Sequence, residues 1–376
     1  MRNGSSRTGT YTGGPELFYS FVSEHGFDYI KREVEPFMPT FPHWIGVGPS
    51  RRKIDAVTPY RDDMERNRRI KPSSEITPFS VSRQAARILI NRIDGKMEMY
   101  PPAERICDIR IPVEETEFTV GVADALSEAG YIIEAINPNL YTINGKNYTV
   151  NDFGKTSRCR LAVFPQRQRF LARVFEDVIW NPQVRPFSLP ALRERIVSLS
   201  DYEIRRARIE DSEGIVSLLE RTFPVYETCN LRETMPRMIA DTSPIAPVVY
   251  AAVRKSDNSV VATCTNERNP FHFAELTDVA SDANGLGTTI CYLSLVAARE
   301  LYGVRNYWSD DVSHPSMNRV SKQLGAVFSG IHPVQVKITT RQFQTDPNPV
   351  YRLTETPRAM DLFVWTGSTD FERVLV

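Results

Sequence analysis

The chain is poor in the residues that build metal centres and covalent staples. Its five cysteines, Cys107, Cys159, Cys229, Cys264 and Cys291, are odd in number, far apart and never in a CxxC pair. That usage points to reduced thiols in a cytoplasmic compartment and speaks against structural zinc. The five histidines, His25, His43, His272, His314 and His332, show neither HxxxH nor HExxH spacing, so no metal is expected. Net charge is missing too. Lys+Arg and Asp+Glu both number 46, which gives the whole chain no pull toward nucleic acid or an anionic membrane. No apolar run reaches the ~18–20 residues that a spanning helix needs. The opening MRNGSSRTGTYTGG has no apolar segment of its own, so residues 1–15 read as a disordered arm rather than a secretory signal. The dinucleotide fingerprint G-x-G-x-x-G does not follow an early strand, and the full phosphate-loop spacing G-x-x-x-x-G-K-[ST] is absent, which removes both of those nucleotide-binding readings.

What is present is a globular composition, 41% hydrophobic and 24% charged over 376 residues, long enough for two domains and an extension. Residues 16–85 are rich in proline and aromatics, and Arg51 to Lys71 holds eight basic residues against four acidic ones. Without interleaved aromatics this stretch reads as a solvated surface extension. From about residue 86 the pattern becomes regular. "RILINRID" and "RICDIRIP" have the look of strands, and "TEFTVGVADALSEAGY" that of a helix closed by Gly130. "YIIEAINPNLYTING" runs into a hairpin turn at Asn144-Gly145. Lys155 to Arg173 carries six basic residues and no acid, a second solvated face. Three prolines between Asn181 and Ser200 place a domain boundary near residue 200. The expected units are therefore 86–200 and 201–376, each α/β in pattern.

The second unit reads strand, helix, a possible second helix, three strands, helix, strand, helix, strand. Tyr202 to Ala207 open it, and Asp211 or Ser212 caps a helix with Ile215, Leu218 and Leu219 inward. "VVYAAVRK" and "SVVATCTNER" form a hairpin around Ser256-Asp257-Asn258. Then comes "AELTDVASDANGLGTT", Ala274 to Thr289, a strand that gives way to glycines and a helix with Ile290, Leu293, Val296 and Leu301 on its inner side. "RNYWSDD", "PSMNRVSKQLG" closed by Gly325, and "MDLFVW" complete the order. At a strand-to-helix junction glycines let a ligand approach the backbone, and the helix's first free N–H groups and positive dipole end favour an anion. Gly285 and Gly287, with Thr288 and Thr289 in the first turn, form such a cradle.

This order, with an "N-x-x-S" helix after the next strand, resembles the GNAT acyl-CoA N-acyltransferases, and "DANGLG" sits where that family has Gln/Arg-x-x-Gly-x-Gly/Ala. Asp282 departs from the family's first position. "FPVY", "LRETM", "AELTDVA", "HPSMNRVSKQLGAVFSG", "AMDLFVW" and, in the first half, "EAGYIIEAINPNLY" are together similar to the β-lysine N6-acetyltransferase family over roughly residues 100–366. The resemblance implies an α/β (α+β) fold with a mixed sheet flanked by helices, and a first half that is a degenerate or companion domain without its own coenzyme A site. It implies acetyl-CoA as co-substrate, a lysine-like amine as acceptor and direct attack within a ternary complex. It places the pyrophosphate on the turn, with Val279, Ala280, Asn284, Gly285, Leu286, Gly287, Thr288 and Thr289 around the cofactor. Asn318 either contacts the pantetheine arm or caps its own helix.

An ammonium has no lone pair, so the acceptor needs a base; Glu275 is favoured and Asp278 is the alternative. Strand alternation sets Glu275 and Thr277 on one face and Asp278 on the other unless a bulge intervenes. The acid that protonates the leaving thiolate stays open, with Tyr307 and Ser309 as candidates and Ala326 where a tyrosine would be useful. Phe223, Tyr226, Met235, Glu233 and Thr277 could line the amine pocket, while Cys264 and Cys291 read as core. The expected partner is a small amine, with no membrane and a monomer or homodimer. A larger amine (a modified nucleobase, aminoacyl-tRNA or peptide) and a catalytically inactive binding fold are the rival readings.

Overall fold

The computed structural model describes residues 45–48, 94, 106–112, 117–143, 146–156, 164, 166–225, 231–242, 246–268, 273–336, 338–355 and 359–375. The strands are β1 (Ile45–Gly48), β2 (Ile106–Pro112), β3 (Ile132–Ile143), β4 (Lys146–Thr156), β5 (Tyr202–Arg206), β6 (Val248–Arg254), β7 (Val260–Arg268), β8 (Phe273–Ser281), β9 (Asn306–Val312), β10 (Val327–Val336) and β11 (Met360–Ser368). The helices are α1 (Glu117–Glu128), α2 (Arg167–Val174), α3 (Leu189–Ser198), α4 (Ser212–Thr222), α5 (Leu231–Ala240), α6 (Leu286–Tyr302), α7 (Pro315–Gln323), α8 (Arg341–Thr345) and α9 (Phe371–Val374). The arm, most of the extension, the turn at Asn144-Gly145 and Tyr226 lie outside the described residues. So does the strand expected over "RILINRID", apart from Asp94, which is helical.

All the described strands join one sheet in the order β1-β2-β4-β3-β10-β11-β9-β8-β7-β6-β5. It is mixed α/β, antiparallel throughout except for the parallel pair β8–β9. The sheet crosses residue 200 without a break, because β3 meets β10 at Ala135 and Gly330. Gly330 is required there: a Cβ would strike the Glu134 carbonyl and the Ala135 backbone. Strand β10 did not stand out in the sequence, since Gly330 and Pro333 interrupt its alternation.

A core lies on each side of the β6–β8 region. On one side α6 packs with Val174, Val178 and Leu192 from the chain before residue 200, together with Leu276, Phe363 and Trp365. On the other, α4 and α5 bury Ile215, Leu218, Leu219, Met235 and Met238 against Val249, Ala251 and Ala280. The inner side of α6 differs from the expected one. Its buried stripe is Leu286, Ile290, Cys291, Ser294, Leu295 and Ala298, while Leu301 is 59% exposed. Small residues in that stripe let the helix lie close to the strands. Among the described residues no helix is long and apolar enough to cross a membrane.

Candidate functional site

Strands β8 and β9 pair only at Phe273–Asn306, Ala274–Tyr307 and Glu275–Trp308. Both run on, β8 to Ser281 and β9 to Val312, so beyond Glu275 they part and leave a wedge between them. The local cause is a bulge. Thr265 faces Thr277 and Thr263 faces Ala280, which sets two residues of β8, Asp278 and Val279, against Cys264 alone. Asp278 takes a left-handed φ of 50° to do this, and an extra residue of this kind bends its strand. The bulge that alternation alone could not supply is therefore present.

At the open end of the wedge the chain turns through Ser281 to Gly285 into α6. Ser281 Oγ accepts from Ala283 N (3.3 Å) and donates to the Ala283 carbonyl (2.8 Å), which fixes the turn. Gly285, with φ 86°, is the N-cap; no side chain caps the helix and its first turn has no acid. The N–H groups of that turn lack intrahelical acceptors by the geometry of a helix start. A Cβ on Gly285 would strike the guanidinium of Arg195, whereas one on Gly287 would meet nothing within 4 Å. Arg195 comes from α3 and lies over the Phe187 ring, 5.3 Å from its centroid. A positive charge is thus delivered to the positive end of α6, an arrangement that repels cations and suits an anion. Asp282 does not disturb it, because its carboxylate pairs with Arg221 of α4 at 2.8 Å.

The remaining residues expected around the turn divide. Asn284 is exposed. Leu286 and Ala280 are core side chains, and Val279 packs against the α6 core. Thr289 Oγ1 donates to the Gly285 carbonyl (3.1 Å) and Thr288 Oγ1 to Gln323 Oε1 (3.2 Å), so both hydroxyls tie the helix start to the protein. Asn318 is buried and fully engaged: Nδ2 donates to the Val312 and His314 carbonyls, each at 2.8 Å, and Oδ1 accepts from Trp365 Nε1 at 2.9 Å. Its amide holds the β9–α7 turn, which is the local capping role.

The wedge has two unlike faces. On the α4–α5 side, Glu275 stands directly opposite Glu267, and Thr277 opposite Thr265; Thr277 Oγ1 donates to Glu267 Oε1 at 3.4 Å. Trp308, in register with Glu275, shares this face, and so by alternation does Asp310. There the first half of the chain contributes Asp152 of β4: His332 on β10, wholly buried, sets its ring nitrogens 3.3 Å from Asp152 Oδ2 and 3.5 Å from Asp310 Oδ2. Phe223 is half-buried and Met235 fully buried in the α4–α5 core, while Glu233 is exposed.

On the α6–α7 side, Ser309 Oγ donates to Asp311 Oδ1 and Ser321 Oγ to Asp311 Oδ2, both at 2.6 Å. Burial pushes the Asp311 carboxyl up to about 7, against the pull of the two hydroxyls and with a further push from Asp310. Tyr307 is buried nearby and its phenol is raised, first by burial and then by Cys291 and Asp311. Cys264 and Cys291 are free and buried. Asp311 and Arg195 escaped the sequence reading. The first showed only as an acid within "YWSDDV", and the second touches Gly285 from a helix far away in the chain. Among the described residues no group of three or more His, Cys, Asp or Glu is placed to hold a metal ion.

No family model matches the chain, and no curated protein matches it. Solved structures with some likeness include the ribosomal-protein-S5-alanine acetyltransferase from Vibrio fischeri, at 11% identity and TM-score 0.36 over 45% of this chain and 94% of that one. An acetyltransferase of the GNAT family from Streptococcus pneumoniae gives 15% and 0.34 over 44% and 99%. A spermidine N-acetyltransferase from Vibrio cholerae, solved with CoA and spermine, gives 12% and 0.35 over 45% and 96%. Likenesses this distant leave the reading of the site to its own geometry.

Proposed function

We propose that the protein is an acetyl-CoA-dependent N-acetyltransferase acting on a small, lysine-like amine, with the β8–β9 wedge as its active site. The observation that carries this reading is the coincidence of three features at one place. Two parallel strands part, the glycine turn at the end of one of them opens an uncapped helix, and Arg195 stands at that helix's positive end. A diphosphate suits the turn, and an extended amide-bearing arm suits a strand edge that has no neighbouring strand. Acetyl-CoA bound there would supply the acetyl group as a thioester.

This chain's residues then have separate tasks. The Gly285–Thr289 turn and Arg195 hold the anionic end. Glu275 takes the proton from the acceptor ammonium, directly or through water, with Asp278 at the bulge as the alternative base. Glu267, facing Glu275 across β7 and β8, adds a second acid to that face, which favours a cationic acceptor over a neutral one. Ser309 is the candidate donor toward a leaving thiolate when Asp311, raised to about 7, holds the proton and donates to Ser309 Oγ, which frees the hydroxyl hydrogen that Asp311 otherwise accepts. The first half of the chain reaches the same face through Asp152, which meets His332 of β10, and this supports a companion role in shaping the acceptor pocket.

The test is thiol release from acetyl-CoA across a panel of amines beginning with lysine and β-lysine. The expected result is acetylation of at least one cationic amine, slowed about a hundredfold or more in kcat by Glu275→Gln while acetyl-CoA still binds. Binding without turnover for every amine would favour an inactive binding fold.

A further inference from the structure

Away from the wedge's inner faces, Ser316, His314 and Asp346 form a relay that the proposed transfer reaction does not use. Ser316 Oγ lies 3.0 Å from His314 Nδ1, and His314 Nε2 lies 2.9 Å from Asp346 Oδ2. The ring's protonation follows from its neighbours. Ser316 N–H donates to Nδ1 at 3.3 Å, so Nδ1 is the acceptor and Nε2 carries the hydrogen toward the carboxylate. Asp346 is itself oriented, its other oxygen accepting from Asn348 N at 2.7 Å. The imidazole is clamped edge-on between Phe343 (4.8 Å) and Tyr351 (5.3 Å). Burial lowers its pKa, with Asp346 acting the other way and Arg319 reinforcing the drop. The ring is therefore neutral near pH 7 and able to take a proton. Ser316 is only partly buried, which leaves the hydroxyl reachable.

We infer that Ser316 is an activated nucleophile, the acyl-accepting member of a Ser-His-Asp set that opens esters or thioesters. Nucleophile, base and orienting acid each stand in their roles, with the two ring nitrogens exchanged relative to the usual arrangement, and roles rather than chain order define such a set. In the step, Ser316 Oγ attacks the acyl carbon and its proton passes to His314 Nδ1. The bond from the acyl carbon to the leaving oxygen or sulfur breaks, and His314 returns the proton to that group. Water then hydrolyses the acyl-serine to a carboxylic acid, restoring the hydroxyl. The N–H of Met317, next in the chain and without an intrahelical acceptor at this helix start, is the donor available to the developing oxyanion. Capping of α7 by His314 explains the bond from Ser316 N–H, but it requires neither the Asp346 contact nor the Ser316 hydroxyl.

A fluorophosphonate probe tests this directly, since it labels activated serines: the Oγ–P bond forms, fluoride leaves and the proton goes to His314. The full chain should take up one probe, mapped to Ser316 by peptide mass, and release p-nitrophenol from p-nitrophenyl acetate. Ser316→Ala, a small change at a partly exposed site, should abolish labelling and cut that release at least about tenfold, and Asp346→Asn should slow labelling roughly a hundredfold or more by turning the ring to the wrong tautomer. No adduct, an adduct elsewhere, or equal labelling rates in the wild type and a folded Asp346→Asn variant would overturn the inference.

Discussion

Two helices start at the same end of the parallel strands β8 and β9, α6 after β8 and α7 after β9, and they begin in opposite ways. The start of α7 is closed by its own side chains. His314 accepts from Ser316 N–H, Pro315 removes one donor, and Asn318 clamps the preceding turn to Trp365. The start of α6 has a glycine in the left-handed region, no side-chain cap and no acid, with an arginine brought in from α3. Both helices face the same problem of orphan N–H groups. The α7 start engages the Ser316 N–H internally and leaves that of Met317; the α6 start ties only the Leu286 N–H, to the Ala283 carbonyl, and has no side chain over the rest. Helix starts are thus told apart by what surrounds their first turn: that of α6 has an arginine beside it and suits a free anion, while that of α7 leaves the Met317 N–H alone.

The comparison sharpens if the closed start is broken. Asn318→Ala should cost about 4 kcal/mol of stability, because two carbonyls and the Trp365 N–H lose a buried partner. Denaturant unfolding would read this, and acetyl-CoA affinity of the folded variant should stay unchanged. An effect of similar size, present only as the pH rises, belongs to Asp311 between the two helices. Its carboxyl sits at about 7 when folded, above the roughly 3.9 of an unfolded Asp, so the folded state holds the extra proton between those values. Its contribution is greatest at low pH and is lost as pH rises through about 7. Melting curves of wild type and Asp311→Asn from pH 4 to 8 should diverge with rising pH, by roughly 4 kcal/mol in all. A parallel pair of curves would mean that Asp311 is ionised throughout. The smallest effect is at the open start: Arg195→Ala should weaken acetyl-CoA binding about tenfold, near 1.4 kcal/mol, with the difference shrinking at high salt.

Much of this frame was legible in the residues. Alternation in "AELTDVA" placed Glu275 and Thr277 on one face, and Gly130 and Gly325 closed their helices with positive φ as their positions suggested. What was illegible depended on distance or interruption. Gly330 and Pro333 hid β10, and without β10 the joining of the two halves into one sheet had no visible cause. The bulge at Asp278 is fixed by pairing with β7 rather than by any local signal. Arg195 is one basic residue among many until the fold sets it on Gly285. The Ser316–His314–Asp346 set needed the loop before β11 to fold back.

Whether the Gly285–Thr289 turn holds acetyl-CoA is decided by titration calorimetry of the wild type beside Gly287→Trp. A Cβ at position 287 would meet no protein atom within 4 Å, so the tryptophan leaves the helix start in open space; it should keep the melting temperature near that of the wild type and obstruct the space over the turn. The wild type should bind saturably and the variant should lose about a hundredfold or more in affinity, roughly 2.7 kcal/mol or above. Equal binding by both proteins, or none by the folded wild type, would contradict binding at this turn.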